Sequence, residues 1–299
     1  MKAAVLGSPI AHSLSPVLHR AAYRALGLDD WTYEAIECVE AGLAGLVGSL
    51  DHEWAGLSLT MPLKRTVLPL LDHADPLVAV TGGANTVVFR PDGRYGYNTD
   101  VRGVVDALTE AGVPAPGGVM ILGGGATACS ALAALPELGA GGADVYVRDP
   151  SRAAGLLAAA ERLHLRVRLR PFASLEESDP ASPPAAPGQG QGQGQGPAAS
   201  DPAPTLLIST VPAGVPDAFA ERIQLTGRAP AALLDVVYNP WPTPLAMAAS
   251  AAGAIVANGF AMLLHQAAVQ VELMTGKPAP LEAMRAAGEA EIARRAAAR

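Results

Sequence analysis

Two serines spaced two apart, Ser13 and Ser15, stand between a strand-like start (Lys2-Ala-Ala-Val-Leu6) and an apolar-periodic run over Val17, Leu18, Ala21, Ala22, Ala25 and Leu26. Hydroxyls beside the free backbone amides of a helix start favour an anion. The same order, serine then Pro16 then the periodic run, also reads as a plain N-cap at Ser15 with Ser13 facing water. A second chemistry-bearing stretch is Gly123-Gly-Gly-Ala-Thr-Ala128, preceded by the strand-like Val119-Met-Ile-Leu122 and followed by an alanine-rich helical pattern. In that context Gly-x-Gly-x-x-Ala is a dinucleotide fingerprint. The first glycine turns the chain, the second lets backbone approach a pyrophosphate, and the small third residue lets helix and strand pack closely. Gly123, Gly124, Gly125 and Ala126 are therefore candidate cofactor contacts, against the plainer reading of a tight turn in a chain rich in small residues.

The end of the next strand selects the cofactor: an acid for the ribose hydroxyls of NAD, arginine for the 2′-phosphate of NADP. Val147-Arg-Asp-Pro-Ser-Arg152 offers both. Arg148 and Arg152 flank one turn and suit a phosphate, so NADP is expected. Asp149 would repel that phosphate if it pointed inward, which leaves NAD open. A solvated helix start is the plain alternative for the arginines.

Other chemistries find no residues. The six histidines show no His-x3-His spacing with an acidic companion, so no metal is expected. There is no Gly-x-Ser-x-Gly elbow and no Walker loop. His12 adjoins Ser13, but neighbours in sequence rarely face each other, and His12 reads as a loop-ordering residue.

The elements that must position these residues alternate. Strand patterns at Ala3–Leu6, Trp31–Glu37, Gly56–Leu59 and Thr86–Arg90 are interleaved with helical patterns at Pro16–Leu26, Ala41–Leu50 and Lys64–Leu70. Asp92-Gly93 reads as a hairpin turn joining Thr86–Arg90 to Arg94–Asn98. The alternation predicts an α/β fold with a largely parallel sheet. A second unit opens with a helix over Val101–Ala111. It continues through strands at Val119–Leu122, Asp144–Arg148, Arg166–Leu169, Thr205–Ser209 and Ala232–Val236, a Rossmann-type pattern. Residues 178–204, with a Gly-Gln repeat over Gly188–Gly196, hold nothing that could form a core and read as a flexible insertion between two strands of that unit.

A chain of 299 residues accommodates one large domain or two ordinary ones. With charged residues at 16%, aromatics at 4% and abundant alanine and glycine, a tightly packed α/β protein fits better than a disordered one. A net charge of −7 without a basic cluster argues against nucleic acid and anionic membranes as partners. Cys38 and Cys129 lack CxxC spacing and read as buried thiols in a reducing compartment. The apolar run at Lys2–Gly7 is too short for a secretory signal, and Val236–Leu264, though uncharged, is broken by Pro240, Pro242 and Pro244. It reads as a buried turn plus helices, and a cytoplasmic protein is expected.

Five segments, in order, resemble the signatures of the shikimate dehydrogenase family: Gly7–Arg20, Ser58-Leu-Thr-Met-Pro-Leu-Lys64, Gly82-Gly-Ala-Asn-Thr86, Tyr97-Asn-Thr-Asp100 and Asn258-Gly-Phe-Ala-Met-Leu-Leu-His-Gln266. The resemblance implies that Ser13 and Ser15 hold a substrate carboxylate, and that Lys64 is the catalytic acid/base group with Asp100 as its partner. The reaction class needs such a pair. Hydride delivery to a ketone builds alkoxide character that a nearby ammonium can protonate, and a carboxylate beside the ammonium positions it. Thr60 and Asn85 would contact ring hydroxyls, Tyr238 would lie near the ligand, and Gln266 would reach it from the C-terminal helix. The plain alternative for Gln266 is a polar interruption of an apolar helix. Thr210, in Thr210-Val-Pro-Ala-Gly214, would lie beside the nicotinamide, and Gly259 would join the cofactor contacts.

The resemblance also implies two domains: a substrate domain from residues 1–100 and 258–299, and an NADP-binding Rossmann domain from 101–257. The C-terminal helix would return to the first, closing a cleft between them. Two places depart from the family pattern. Ser58-Leu-Thr-Met-Pro stands where relatives more often show Val-Thr-Val-Pro, and Val147 and Asp149 depart from Asn-Arg-Thr. The implied activity is reversible NADPH-dependent reduction of 3-dehydroshikimate to shikimate, in aromatic amino-acid biosynthesis, by a monomer or homodimer. An NAD-preferring quinate/shikimate dehydrogenase shares every motif. A non-catalytic metabolite or dinucleotide sensor on the same fold is the rival from another class, and retention of both Lys64 and Asp100 argues against it.

Overall fold

The computed structural model describes residues 1–175, 181 and 205–298. The Gly-Gln insertion lies outside the described residues. The chain forms two units, Met1–Gly103 with Ala261–Arg299, and Val104–Phe260.

The first unit begins β1 (Lys2–Gly7), α1 (Ser15–Ala25), β2 (Thr32–Glu37), α2 (Glu40–Gly48), β3 (Trp54–Leu59) and α3 (Leu63–Thr66). It continues β4 (His73–Ala74), α4 (Pro76–Thr81), β5 (Thr86–Arg90) and β6 (Gly93–Tyr97), and α5 (Asp100–Glu110) starts in it and ends in the second unit. The six strands are ordered β2-β1-β3-β5-β6-β4. β1 pairs parallel with β2 and β3, whereas β5 runs antiparallel to both β3 and β6. The sheet is thus mixed, and β5 reverses into β6 through Pro91-Asp92, one residue earlier than the expected Asp92-Gly93 turn and too short for a parallel crossover. Leu6, Leu57, Leu59 and Val87 bury one face against Leu43 and Val47 of α2, Leu63 of α3 and Val78 of α4.

Three local expectations change. The single helix expected over Lys64–Leu70 is α3 followed by a 3-10 turn at Leu68–Leu70. Pro69 has no N–H to continue the α-helical ladder. Ser15 is not the N-cap of α1; Leu14 is, already in helical conformation (φ −91°, ψ −9°) and without a side-chain cap. Pro16 therefore sits one place further into the helix than the sequence suggested. The short β4 and α4 were not expected; Asp75 starts α4 by accepting from the Leu77 amide.

The second unit runs β7 (Gly118–Leu122), α6 (Ala126–Ala134), β8 (Gly142–Val147), α7 (Ala154–Arg162), β9 (Arg166–Pro171) and β10 (Thr205–Ser209). It ends with α8 (Asp217–Thr226), β11 (Ala232–Asp235), α9 (Pro244–Ala251) and β12 (Ile255–Asn258), the last strand lying in the stretch read as turn and helices. All pairings are parallel in the order β12-β11-β10-β7-β8-β9. In chain order that is the doubly wound 3-2-1-4-5-6 arrangement, whose switch point lies between β7 and β10. Met120, Leu122, Leu207 and Leu233 pack against Phe219 and Ile223 of α8 and Leu245 of α9. Edge strand β9 is tied down by Asp144, whose buried carboxylate accepts from Arg168 at 2.5 and 2.8 Å and from Arg170 at 3.2 Å. Helices α10 (Gly259–Thr275) and α11 (Leu281–Ala297) follow, α11 packing along α1. No helix of the described residues is long and apolar enough to cross a membrane.

Candidate active site

Lys64 is the second residue of α3, two places after the N-cap Pro62, and its backbone carbonyl accepts from the Ala84 amide at 2.8 Å. Asp100 is the first residue of α5, its own amide donating to Asn98 Oδ1 at 3.2 Å. Lys64 Nζ meets Asp100 Oδ2 at 2.5 Å, with side chains only 15% and 7% exposed. An ion pair so screened from water is expensive to leave half-made, because removing either partner strands the other charge away from solvent. Helices α5 and α10 can approach here because residue 103 is glycine. A Cβ there would lie 2.7 Å from the Met262 carbonyl oxygen and 3.0 Å from Gln266 Cβ.

Asn85 joins the parts. Its buried amide nitrogen lies 2.8 Å from Asp100 Oδ1, 2.9 Å from Thr99 Oγ1 and 3.2 Å from Gln266 Oε1. Its oxygen accepts from the Thr99 amide at 2.8 Å and the Thr86 hydroxyl at 2.9 Å. Gln266 is anchored in turn by donating to the Leu263 carbonyl at 2.9 Å. Four of the expected residues, Lys64, Asp100, Asn85 and Gln266, thus form one hydrogen-bonded group. Thr60 follows β3 and is half-buried, and its methyl occupies the space a Cβ at Gly7 would need, 2.3 Å away.

Behind Asn85 runs a polar chain that the sequence reading missed. Gln270 Nε2 donates to Thr86 Oγ1 at 2.9 Å, while Gln270 Oε1 accepts from Ser58 at 2.7 Å and faces His19 Nε2 at 3.2 Å. Tyr33 donates to Ser58 at 2.6 Å, and its ring stacks on His19 at 3.9 Å. An amide oxygen only accepts, so His19 carries its proton on Nε2 and leaves Nδ1 a buried acceptor without a partner. Burial pushes the His19 pKa down to about 3, the Gln270 contact opposing only weakly. Burial likewise pushes the Tyr33 phenol above its ordinary value, with hydrogen bonds to Ser58 and Ser15 acting the other way. The signal was present in the sequence: Gln270 recurs one helical turn after Gln266, and Ser58 interrupts the apolar strand Leu57–Leu59.

Ser13 and Ser15 are linked to each other, the Ser15 amide donating to Ser13 Oγ at 3.2 Å. Ser13 is half-buried and Ser15 buried. The amide that a helix start leaves unsatisfied is therefore bound by Ser13, and neither serine caps through the role expected of Ser15.

In the second unit, Gly123 adopts φ +108°, and a Cβ there would lie 2.5 Å from Thr210 Oγ1. Thr210 closes the switch point by donating its hydroxyl to the Leu122 carbonyl at 2.7 Å. Gly125 caps α6 without a side-chain hydrogen bond, so the amides of the first turn, beginning at Ala126, find no acceptor from the cap. Gly124 lies against Val147, while a Cβ at Gly125 would meet nothing within 4 Å. That is the cradle a pyrophosphate needs: free N–H groups, open space, and no side chain in the way. Arg148 follows β8 and is exposed. The Asp149 carboxylate accepts from the Ser151 amide at 3.0 Å and the Ser151 hydroxyl at 2.6 Å, starting the turn Pro150–Ala153. The side chain of Arg152, in the same turn, lies outside the described residues. Tyr238 is half-buried in the segment between β11 and α9. That segment is pinned by Asp235, which accepts from the Val237 amide at 3.2 Å and from Thr243 at 2.7 Å. Burial raises the Asp235 pKa, and those hydrogen bonds partly offset it. Gly259 opens α10 so close to the chain at Val236 that a Cβ would lie 2.1 Å from its carbonyl oxygen. No group of three His, Cys, Asp or Glu among the described residues is placed to hold a metal.

Residues 5–87 match the family described as the shikimate dehydrogenase substrate binding domain, and residues 259–287 match the shikimate 5′-dehydrogenase C-terminal domain. The chain is 34% identical to the NADP(+) shikimate dehydrogenase of Thermus thermophilus, over 99% of this chain and 98% of that one. The chain belongs to the shikimate dehydrogenase family. The corresponding enzyme of Geobacter metallireducens is 32% identical over 94% of this chain and 93% of its own length. Among solved structures, the Mycobacterium tuberculosis shikimate dehydrogenase superposes with TM-score 0.80 at 42% identity, covering 97% of this chain and 98% of that one. The Thermus thermophilus enzyme in complex with NADP(H) and shikimate gives TM-score 0.76 at 31% identity, covering 97% and 99%.

Proposed function

We propose that this family member is an NADP-dependent shikimate dehydrogenase that reversibly reduces the ketone of 3-dehydroshikimate to the alcohol of shikimate, in the cytoplasm. The observation that carries the reading is the Lys64–Asp100 pair at 2.5 Å, withdrawn from water and hydrogen-bonded through Asn85 to Gln266.

The first unit binds the substrate. Ser13 and Ser15 take its carboxylate, and Thr60, Asn85 and Gln266 read the ring hydroxyls, each offering both a donor and an acceptor. The Lys64 ammonium has three N–H donors, one of them given to Asp100. Another supplies the proton to the carbonyl oxygen as alkoxide character develops, and in the oxidation direction the neutral amine takes the hydroxyl proton. Asp100, itself held by Asn85, keeps Nζ aimed at that oxygen. Such acid catalysis contributes about 10²–10⁴ in rate.

The second unit binds the cofactor. NADP(H), when bound, supplies or takes the hydride. Gly123, Gly124, Gly125 and Ala126 hold the pyrophosphate at the start of α6, Thr210 shapes the switch point, Gly259 joins the cofactor contacts, and Tyr238 lies on the ligand side. Arg148, with Arg152 in the next turn, takes the 2′-phosphate. The internal use of Asp149 by Ser151 favours NADP over NAD, because that carboxylate already has its donors. Initial rates of shikimate and quinate oxidation, each with NADP and with NAD, test the reading. Turnover chiefly with shikimate and NADP is expected. Preference for NAD or quinate assigns Asp149 to the ribose and refutes the cofactor or substrate assignment, and a folded protein inactive in all pairings refutes the enzyme.

A further inference from the structure

We propose that Arg295, near the far end of the chain, is a positioning residue for the carboxylate end of the substrate, acting through Ser13. The inference rests on the reading that Ser13 and Ser15 take that carboxylate. Arg295 projects from the last turns of α11, which packs along α1. Its Nη1 donates to the His12 carbonyl at 2.8 Å, its Nη2 to the Ser13 carbonyl at 3.4 Å, and its Nε to Glu291 at 2.7 Å.

The two carbonyls are the important part. That of His12 belongs to the peptide plane before the Ser13 Cα, and that of Ser13 to the plane after it. One rigid guanidinium bound to both fixes φ and ψ of Ser13 together, and with them the direction in which its hydroxyl leaves the backbone. The other restraints on this approach are local: the Ser15 amide donates to Ser13 Oγ at 3.2 Å and the Ile10 amide to Glu37 at 3.1 Å. Ala11 and His12 are exposed, and the Ser13 amide makes one local bond, to the Ile10 carbonyl at 3.0 Å. The guanidinium is itself pre-aimed, because Glu291 takes its Nε edge and also accepts from Arg294 at 2.8 Å. Lysine cannot replace this, since a point charge does not span two carbonyls.

The test compares wild type, Arg295→Ala, Arg295→Lys, Ser13→Ala and the Ser13→Ala/Arg295→Ala double variant, with shikimate and with its methyl ester as a probe lacking the carboxylate charge. Arg295→Ala is expected to raise KM for shikimate about tenfold, equivalent to about 1.4 kcal/mol, with kcat and KM for NADP within about twofold of wild type. Arg295→Lys recovers part of the loss. The double variant is no worse than the more affected single one, because Arg295 acts through Ser13, and KM for the ester, whose carbonyl accepts only a weaker neutral hydrogen bond, moves less under Arg295→Ala than KM for shikimate. A KM for shikimate unchanged in Arg295→Ala but raised in Ser13→Ala overturns the inference and leaves the carboxylate assignment standing. Unchanged values in both overturn the assignment and the inference with it. If Arg295→Ala fails to fold, Arg295→Lys decides alone: an unmoved KM for shikimate overturns the inference, and a raised one supports it.

Discussion

His19 gives the unit that carries Lys64 a measurable dependence on pH. Its ring is fully buried between Tyr33 and Gln270, and Nδ1 has no partner to receive an added proton. Protonation would therefore place an unpaired charge in the core, which is why burial lowers the pKa from 6.5 to about 3. The unfolded chain takes up that proton below pH 6.5 while the native state refuses it, so stability falls as pH drops through the window from 6.5 to 3. One pKa unit is worth about 1.4 kcal/mol, so the loss attributable to His19 is about 2 kcal/mol by pH 5 and approaches about 5 kcal/mol at the bottom of the window. His19→Phe keeps the stacking on Tyr33 and removes the titration. Urea unfolding between pH 7.5 and 5 in a Trp241→Phe background reads the first unit through Trp31 and Trp54, Trp31 lying 5.2 Å from the Tyr23 ring. Wild type should lose about 2 kcal/mol relative to the variant over that range, whatever offset separates them at pH 7.5. Parallel pH profiles for the two proteins would refute the assignment of a buried, neutral His19.

Lys64→Ala should lower kcat by about 10²–10⁴ while shikimate still binds, as measured by intrinsic fluorescence titration; a kcat within about tenfold of wild type would remove Lys64 from the chemistry. Gly259→Ala forces a Cβ to within 2.1 Å of the Val236 carbonyl oxygen and 2.8 Å of the Val237 carbonyl carbon, both backbone atoms that cannot rotate away. It should cost about 1–3 kcal/mol or more, seen as a fall of several degrees in the calorimetric transition of the second unit; an unaltered transition would mean that the crossing relaxes freely.

Much of the fold is legible in the residues themselves. Short apolar runs bounded by turns locate β1, β2, β3 and β5, and the Asp92-Gly93 pair announces the hairpin to β6, because these signals are local and steric. The glycine pattern after Val119–Leu122 predicts a turn at Gly123, and there φ is +108° with no room for a side chain beside Thr210. Helix starts were less legible. Ser15 has the right neighbours for a cap, yet the chain enters the helix one residue earlier at Leu14, a choice made by how Ser13 turns back to bind the Ser15 amide. The strand β12 was hidden because its four residues in an alanine-rich stretch acquire strand character only from the parallel partner β11. The site divides in the same way. The resemblance carried by the five motifs pointed to Lys64, Asp100, Asn85 and Gln266, but spacing along a chain carries no information about which polar groups close on one another. Only the tertiary structure decided that Asn85 reaches Gln266 across 181 residues, that Gln270 joins Ser58 across 212, and that Arg295 returns to Ser13 across 282. A buried donor must find an acceptor somewhere in the folded molecule, and that partner is set by packing, not by sequence distance.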